Sequence, residues 1–212
     1  MKTINKKDFP MLSKRIDEVD ELDDMFPSLY HATTISSAKS ILKEGILMEK
    51  CGKIHGEMQI RPLEKTIYLS RSEYSGNLNT NLFEKNEKVV VIEIDSKDLD
   101  QNKIYPDDGM YCAFANEDLF YDAEELGEFF KIPKDEAEDL FNMMENSADM
   151  ELVELTKPLW KLYLIKEGEI SVAHDIKPSS IKNIRDFETQ EIITIEENLK
   201  KEKKRKMGMK SN

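Results

Sequence analysis

Three short segments hold the residue types best suited to chemistry. His31 lies in Leu-Tyr-His-Ala-Thr-Thr at 29–34, Tyr68 in Thr-Ile-Tyr-Leu-Ser at 66–70, and Glu169 in Glu-Gly-Glu-Ile-Ser-Val at 167–172. A fixed carboxylate stabilises positive charge developing beside it, and an aromatic face orients a planar group at low entropic cost. Neutral imidazole adds directional hydrogen bonds without a permanent charge. Each residue alone also has a plain structural reading: a hydrogen-bonded histidine on an interior strand, a core tyrosine, a solvated glutamate. The combination makes them a candidate site.

The surrounding pattern supplies the elements that must position them. Leu12, Ile16, Val19, Leu22 and Met25 recur at helical spacing and predict an amphipathic N-terminal helix ended by Pro27. His31 falls on a short strand, followed by a helix capped by Ser36 or Ser37 and stopped by Gly45. Residues 48–65 read as a loop, Thr66 to Ser70 as a strand, and Lys88 to Ile94 as a strand central in a sheet or buried on both faces. Further strands are expected at Leu159 to Ile165, Ile170 to Ala173 and Glu191 to Ile195, with a short helix or turn near Ser179 to Ile184. The fold class is α+β. We expect one domain over 1–198 and a basic flexible tail over 199–212 containing Lys200, Lys201, Lys203, Lys204, Arg205, Lys206 and Lys210.

Charge is unevenly distributed. The 212 residues carry a formal net charge of -12, and the stretch 107–156 holds sixteen Asp and Glu against Lys131 and Lys134. Its helix-like runs, Ala123 to Phe130 and Lys134 to Met144, suggest an acidic helical insertion in a nearly neutral chain. The overall sign argues against an indiscriminate nucleic-acid coat or a polybasic membrane binder. No run approaches the roughly eighteen apolar residues of a membrane span, and the N-terminal stretch does not resemble a signal peptide, so a cytoplasmic location is expected. Two cysteines, Cys51 and Cys112, and three dispersed histidines make neither a disulfide framework nor a metal motif. No phosphate-binding glycine motif is present, so a bound nucleotide would be held by other means.

The three segments, in this order, resemble the ADP-ribosyltransferase superfamily, in its branch with a His-Tyr-Glu triad that includes diphtheria-toxin-like and PARP-like enzymes. Detailed matches occupy about thirty residues, and the acidic stretch has no clear counterpart. The resemblance implies a split mixed or antiparallel sheet with flanking helices, and NAD as substrate. It places His31 on the adenosine-side ribose, with Ala32 and Thr33 backbone groups holding the nicotinamide amide. Tyr68 would stack on the nicotinamide ring, and Glu169 would stabilise the oxocarbenium-like cation formed as nicotinamide leaves.

Other residues enter as candidates. Arg61 and Arg71 flank the Tyr68 strand and could meet the pyrophosphate or form surface ion pairs. Ser70 could support the nicotinamide pocket. Glu167 precedes Glu169 by two, so on a strand both would face one cleft wall, an acceptor-side role that a turn at Gly168 would break. His174 could also line the acceptor side and His55 could cover a nucleotide, with ordinary surface positions as the alternatives.

The expected activity is transfer of ADP-ribose from NAD to a protein or nucleic acid, in a toxin or defence setting with a neutralising antitoxin-like partner. The alternatives are an NAD-dependent RNA 2′-phosphotransferase and an inactive acidic interaction module.

Overall fold

Alternating apolar side chains build one face of a sheet, and the structure, a computed structural model, describes it over residues 4–51, 65–73, 87–107 and 122–193. The strands there are β1 (Ser28–Thr34), β2 (Ile67–Ser70), β3 (Val89–Asp95), β4 (Ile104–Pro106), β5 (Glu169–Val172) and β6 (Ile181–Asp186). They pair antiparallel in the order β4-β5-β2-β1-β3-β6. Partners across an antiparallel ladder project from the same face. The register therefore gathers Leu29 with Ile94, Ile67 with Val172 and Ile104, and Leu69 with Ile170 on one apolar face. Ile35, Ala38 and Ile41 of helix α3 (Ile35–Glu44) join them in the main core.

Helix α3 is capped by Thr34, whose side chain accepts from the Ser37 amide at 3.3 Å, rather than by Ser36 or Ser37. Gly45 ends it at φ 84, and Ile46 then pairs with Ile176 through two 2.9 Å backbone bonds. The N-terminal segment is two short helices, α1 (Pro10–Asp17) and α2 (Leu22–Met25), not one. Leu12 enters one core and Leu22 the other, so their spacing reflects two packing surfaces.

The acidic stretch supplies α4 (Ala123–Phe130), α5 (Lys134–Glu145) and α6 (Asp149–Thr156). Their apolar sides form a second core with Phe9 and Leu12 around Leu126, Phe130, Leu140 and Val153. Glu136 of α5 is buried and accepts from the Met11 and Leu12 amides at 2.8 and 2.9 Å. It caps α1, whose own N-cap residue Phe9 has no acceptor side chain.

Helix α7 (Trp160–Lys166) occupies residues expected to form a strand. Trp160 and Leu164, one turn apart, join the sheet core, while Leu162 and Tyr163 join the helical core. A helix between two cores is apolar around much of its circumference, which removes the one-sided 3.6-residue signature. Of Ser179 to Ile184, expected as a short helix or turn, Ser179 and Ser180 lie in a 3-10 turn (Pro178–Ser180) and the rest enters edge strand β6. Glu191 to Ile195 gives only an isolated bridge, Ile192 with Arg185, and residues 194 and 195 lie outside the described part.

Candidate active site

The sheet's second face carries polar groups in register. Asn183, Glu93, Tyr30, Ser70 and Glu169 are successive cross-strand partners, a polar row over five strands. Glu93 accepts from Ser28 Oγ at 2.8 Å, Asn183 Nδ2 at 2.9 Å and Arg185 Nη2 at 3.2 Å. Burial pushes its carboxyl pKa up, but these hydrogen bonds outweigh that and hold it below the ordinary value. Tyr30 is held above the usual phenol value, first by burial and then by Glu93 and Glu73.

Tyr68 belongs to the next row on this face, opposite Ser171, which in turn faces Tyr105. Tyr68 and Glu169 are thus diagonal neighbours on adjacent strands, at about 7–8 Å in typical sheets and within reach of long side chains. Ser171 Oγ, beside Tyr68, is buried and has no hydrogen-bond partner among the described residues. A group of this kind is worth about 1–3 kcal/mol when a partner arrives.

The β1–β2 junction is a seam. Its ladder has a single aligned pair, Tyr30 with Ser70, whereas β1 is aligned with β3 along its whole length. Alternation places His31 on the core face with Leu29, opposite Ile92, so it does not project with Tyr68 and Glu169. Its ring instead bridges the seam: Nδ1 lies 3.1 Å from the Tyr68 carbonyl oxygen. A carbonyl only accepts, so geometry assigns the hydrogen to Nδ1 and leaves the Nε2 lone pair available in the neutral ring. Desolvation holds the imidazole below its ordinary pKa, offset in part by the Tyr68 bond. Ala32 and Thr33 continue the β3 ladder opposite Val91 and Val90.

Glu169 opens β5 beside a second carboxylate. Continuing the Pro106–Ile170 register by one residue puts Asp107 next to Glu169, and the two share a side-chain hydrogen bond. Tyr163 Oη donates to Asp107 Oδ1 at 2.8 Å. Burial first, then Asp107 and Glu167, push Glu169 up to about 7. Tyr163 is raised far above an ordinary phenol, by burial first and Asp107 second, so it remains a donor.

Glu167 is not a strand residue. It closes α7, its amide donating to the Tyr163 carbonyl at 2.8 Å, and Gly168 at φ 91 turns the chain before Glu169. The two glutamates therefore do not share a strand face, although Glu167 still acts on Glu169 through its charge. Arg71 is tethered to α7: its guanidinium donates to the Ile165 and Lys166 carbonyls, and its amide donates to Gly168 O at 2.7 Å. A cation there complements the α7 C-terminus. Ser70 is fully buried and its Oγ accepts from the Ser72 amide at 3.1 Å, supporting the turn that carries Arg71.

His174 Nε2 accepts from the Asp100 amide at 3.1 Å and Nδ1 lies 2.9 Å from the Asp175 carbonyl, so both ring nitrogens tie loops together. Cys51 is pushed up to about 11, mainly by burial, and is a poor nucleophile. Arg61, His55 and Cys112 lie outside the described residues. Among the described residues no group of His, Cys, Asp and Glu is arranged to hold a metal ion, and no helix is long and apolar enough to cross a membrane.

Sequence reasoning singled out Tyr68 and Glu169 but missed Tyr30, Glu93, Asp107 and Tyr163. One signal was present: Glu93 interrupts the run Val-Val-Val-Ile-Glu-Ile and marks which face of β3 is polar. Compared with known proteins, the chain matches no family model and no curated protein.

Proposed function

We propose that the chain is an NAD-dependent ADP-ribosyltransferase that releases nicotinamide and transfers ADP-ribose to a protein or nucleic-acid acceptor. The observation that carries this reading is the diagonal placement of Tyr68 and Glu169 on one sheet face, beside a seam bridged by His31 at the Tyr68 carbonyl. The supporting likeness is to the split sheet and His-Tyr-Glu order of that superfamily. Tyr68 offers its ring face to nicotinamide. His31, neutral and donating from Nδ1 to the Tyr68 carbonyl, fixes the strand that presents Tyr68. Glu169 lies where positive charge grows at C1′, and its attraction strengthens toward the transition state. Arg71, tethered to α7 by two of its five N–H donors, and Arg61 are the candidates for the pyrophosphate.

The setting we propose is a cytoplasmic toxin or defence enzyme held in check by a neutralising partner. Labelled NAD incubated with the protein and separate protein, RNA and DNA pools should mark one pool, with marking abolished by Glu169→Gln. Label in no pool, and no free nicotinamide even with cell extract, would end this reading in favour of a binding module.

A further inference from the structure

Glu169 does not stand alone on the polar face. Asp107 follows β4 directly and lies beside Glu169 by continuation of the β4–β5 register. The two carboxyl groups are close enough to share a proton by a hydrogen bond, and Asp107 helps push Glu169 above the ordinary carboxylate value. Tyr163 Oη holds Asp107 from the other side at 2.8 Å, and Tyr163 is itself fixed by burial in the helical core. Glu167, the acceptor-side candidate from the sequence, is exposed at the end of α7 and separated from Glu169 by the Gly168 turn.

We propose that Asp107 is the acceptor-side general base, receiving the proton lost by the attacking group while Glu169 remains beside C1′. The inference rests on the NAD reading above. In the step, a lone pair of the acceptor X–H forms the X–C1′ bond as the C1′–N bond breaks. The bonding pair leaves with the nicotinamide ring, which becomes neutral. The X–H proton passes to Asp107, so a doubly ionised pair becomes a singly protonated pair that can share the proton in a hydrogen bond. One charge is lost from the ring and one from the pair, and the balance closes without another reactant.

The groups facing Glu169 are Asp107 beyond β4, Tyr163 and Glu167 on α7, and Ser70 of β2, with the Arg71 side chain packed against Gly168. The anionic neighbours outnumber Arg71, whose guanidinium also donates to the Ile165 and Lys166 carbonyls. Burial and these anionic neighbours push Glu169 up to about 7.

The test compares two attacking groups in wild type and Asp107→Asn. Water must lose a proton as it attacks; azide need not. With NAD alone, Asp107→Asn should lower hydrolysis by about 10²-fold. With azide as acceptor, the same substitution should change glycosyl azide formation by less than about threefold, on the same principle. Equal losses with both nucleophiles, or no loss with water, would overturn the assignment. The pair is read separately by titrating carbon-13-labelled glutamate: Glu169 should show a midpoint near 7 in wild type and a lower one in Asp107→Asn. An unchanged midpoint would refute the pairing whatever the activity. If wild type releases no nicotinamide while the midpoint does shift, the NAD reading and the base role fall and the carboxyl pair stands.

Discussion

At Glu169 the interior places an ionisable group where its charge is disfavoured. Burial and Asp107 raise its pKa from 4.5 to about 7 in the folded chain, so the native state binds the proton more tightly than the unfolded one. Stability from this group is therefore full below about 4.5, declines as pH rises, and is gone above about 7. Because Glu169 is only partly enclosed, solvent screening reduces the effect to about 1 kcal/mol. Glu169→Gln should thus raise Tm above pH 8 by about 2–4 °C relative to wild type and leave it unchanged near pH 4. Calorimetry at both pH values checks this, and a lower Tm for the variant at pH 8 would contradict the sign. His31 has the opposite chemistry: desolvation keeps it neutral, so His31→Asn should fold but weaken NAD turnover about tenfold or more through the lost hydrogen bonds.

Among the elements, two connections decide whether the site is held. Gly45 sits at φ 84, and a Cβ there would lie 2.0 Å from the Ile176 carbonyl oxygen. Gly45→Ala should destabilise by at least about 2 kcal/mol, from the backbone conformation plus the clash, measurable by urea unfolding. Glu136→Ala should cost about 2–3 kcal/mol, because two α1 amides lose their acceptor in a buried place.

The elements also explain what the sequence revealed. Strands β1, β2, β3 and β5 were legible because their apolar alternation or β-branched runs face a single core. Helix α7 was not, since its side chains serve two cores. Strand β4 was hidden by Pro106, which a sheet accepts here because β4 lies at the edge and one side needs no amide. In β6, Ile181 and Ile184 have helical spacing. The register shift between Glu93 and Ile94 admits an extra residue on β6, so both isoleucines turn toward the core face. Tyr68 and Glu169 could be named from their segments, whereas Asp107 became visible only when β4 aligned with β5.

For the whole molecule, the acidic stretch joins structure to charge. Its helices share a core with Phe9, Leu12, Leu162 and Tyr163, and Tyr163 supports Asp107. Removing 107–156 should therefore abolish cooperative unfolding rather than change acceptor preference; a folded, cooperative truncation with unaltered Asp107-independent activity would contradict this. With a net charge of -12, the protein repels an anionic dinucleotide at long range. The KM for NAD should fall as ionic strength rises from about 0.01 to 0.15 M, as the screening length shrinks. The central claim is tested most directly by nicotinamide release from NAD, measured for wild type and Glu169→Gln at pH 8 with folding verified by circular dichroism. Wild type should release nicotinamide, and the variant should release it about 10²–10³-fold more slowly. Equal release by both proteins, or none by folded wild type supplied with protein and nucleic-acid acceptors, would contradict it.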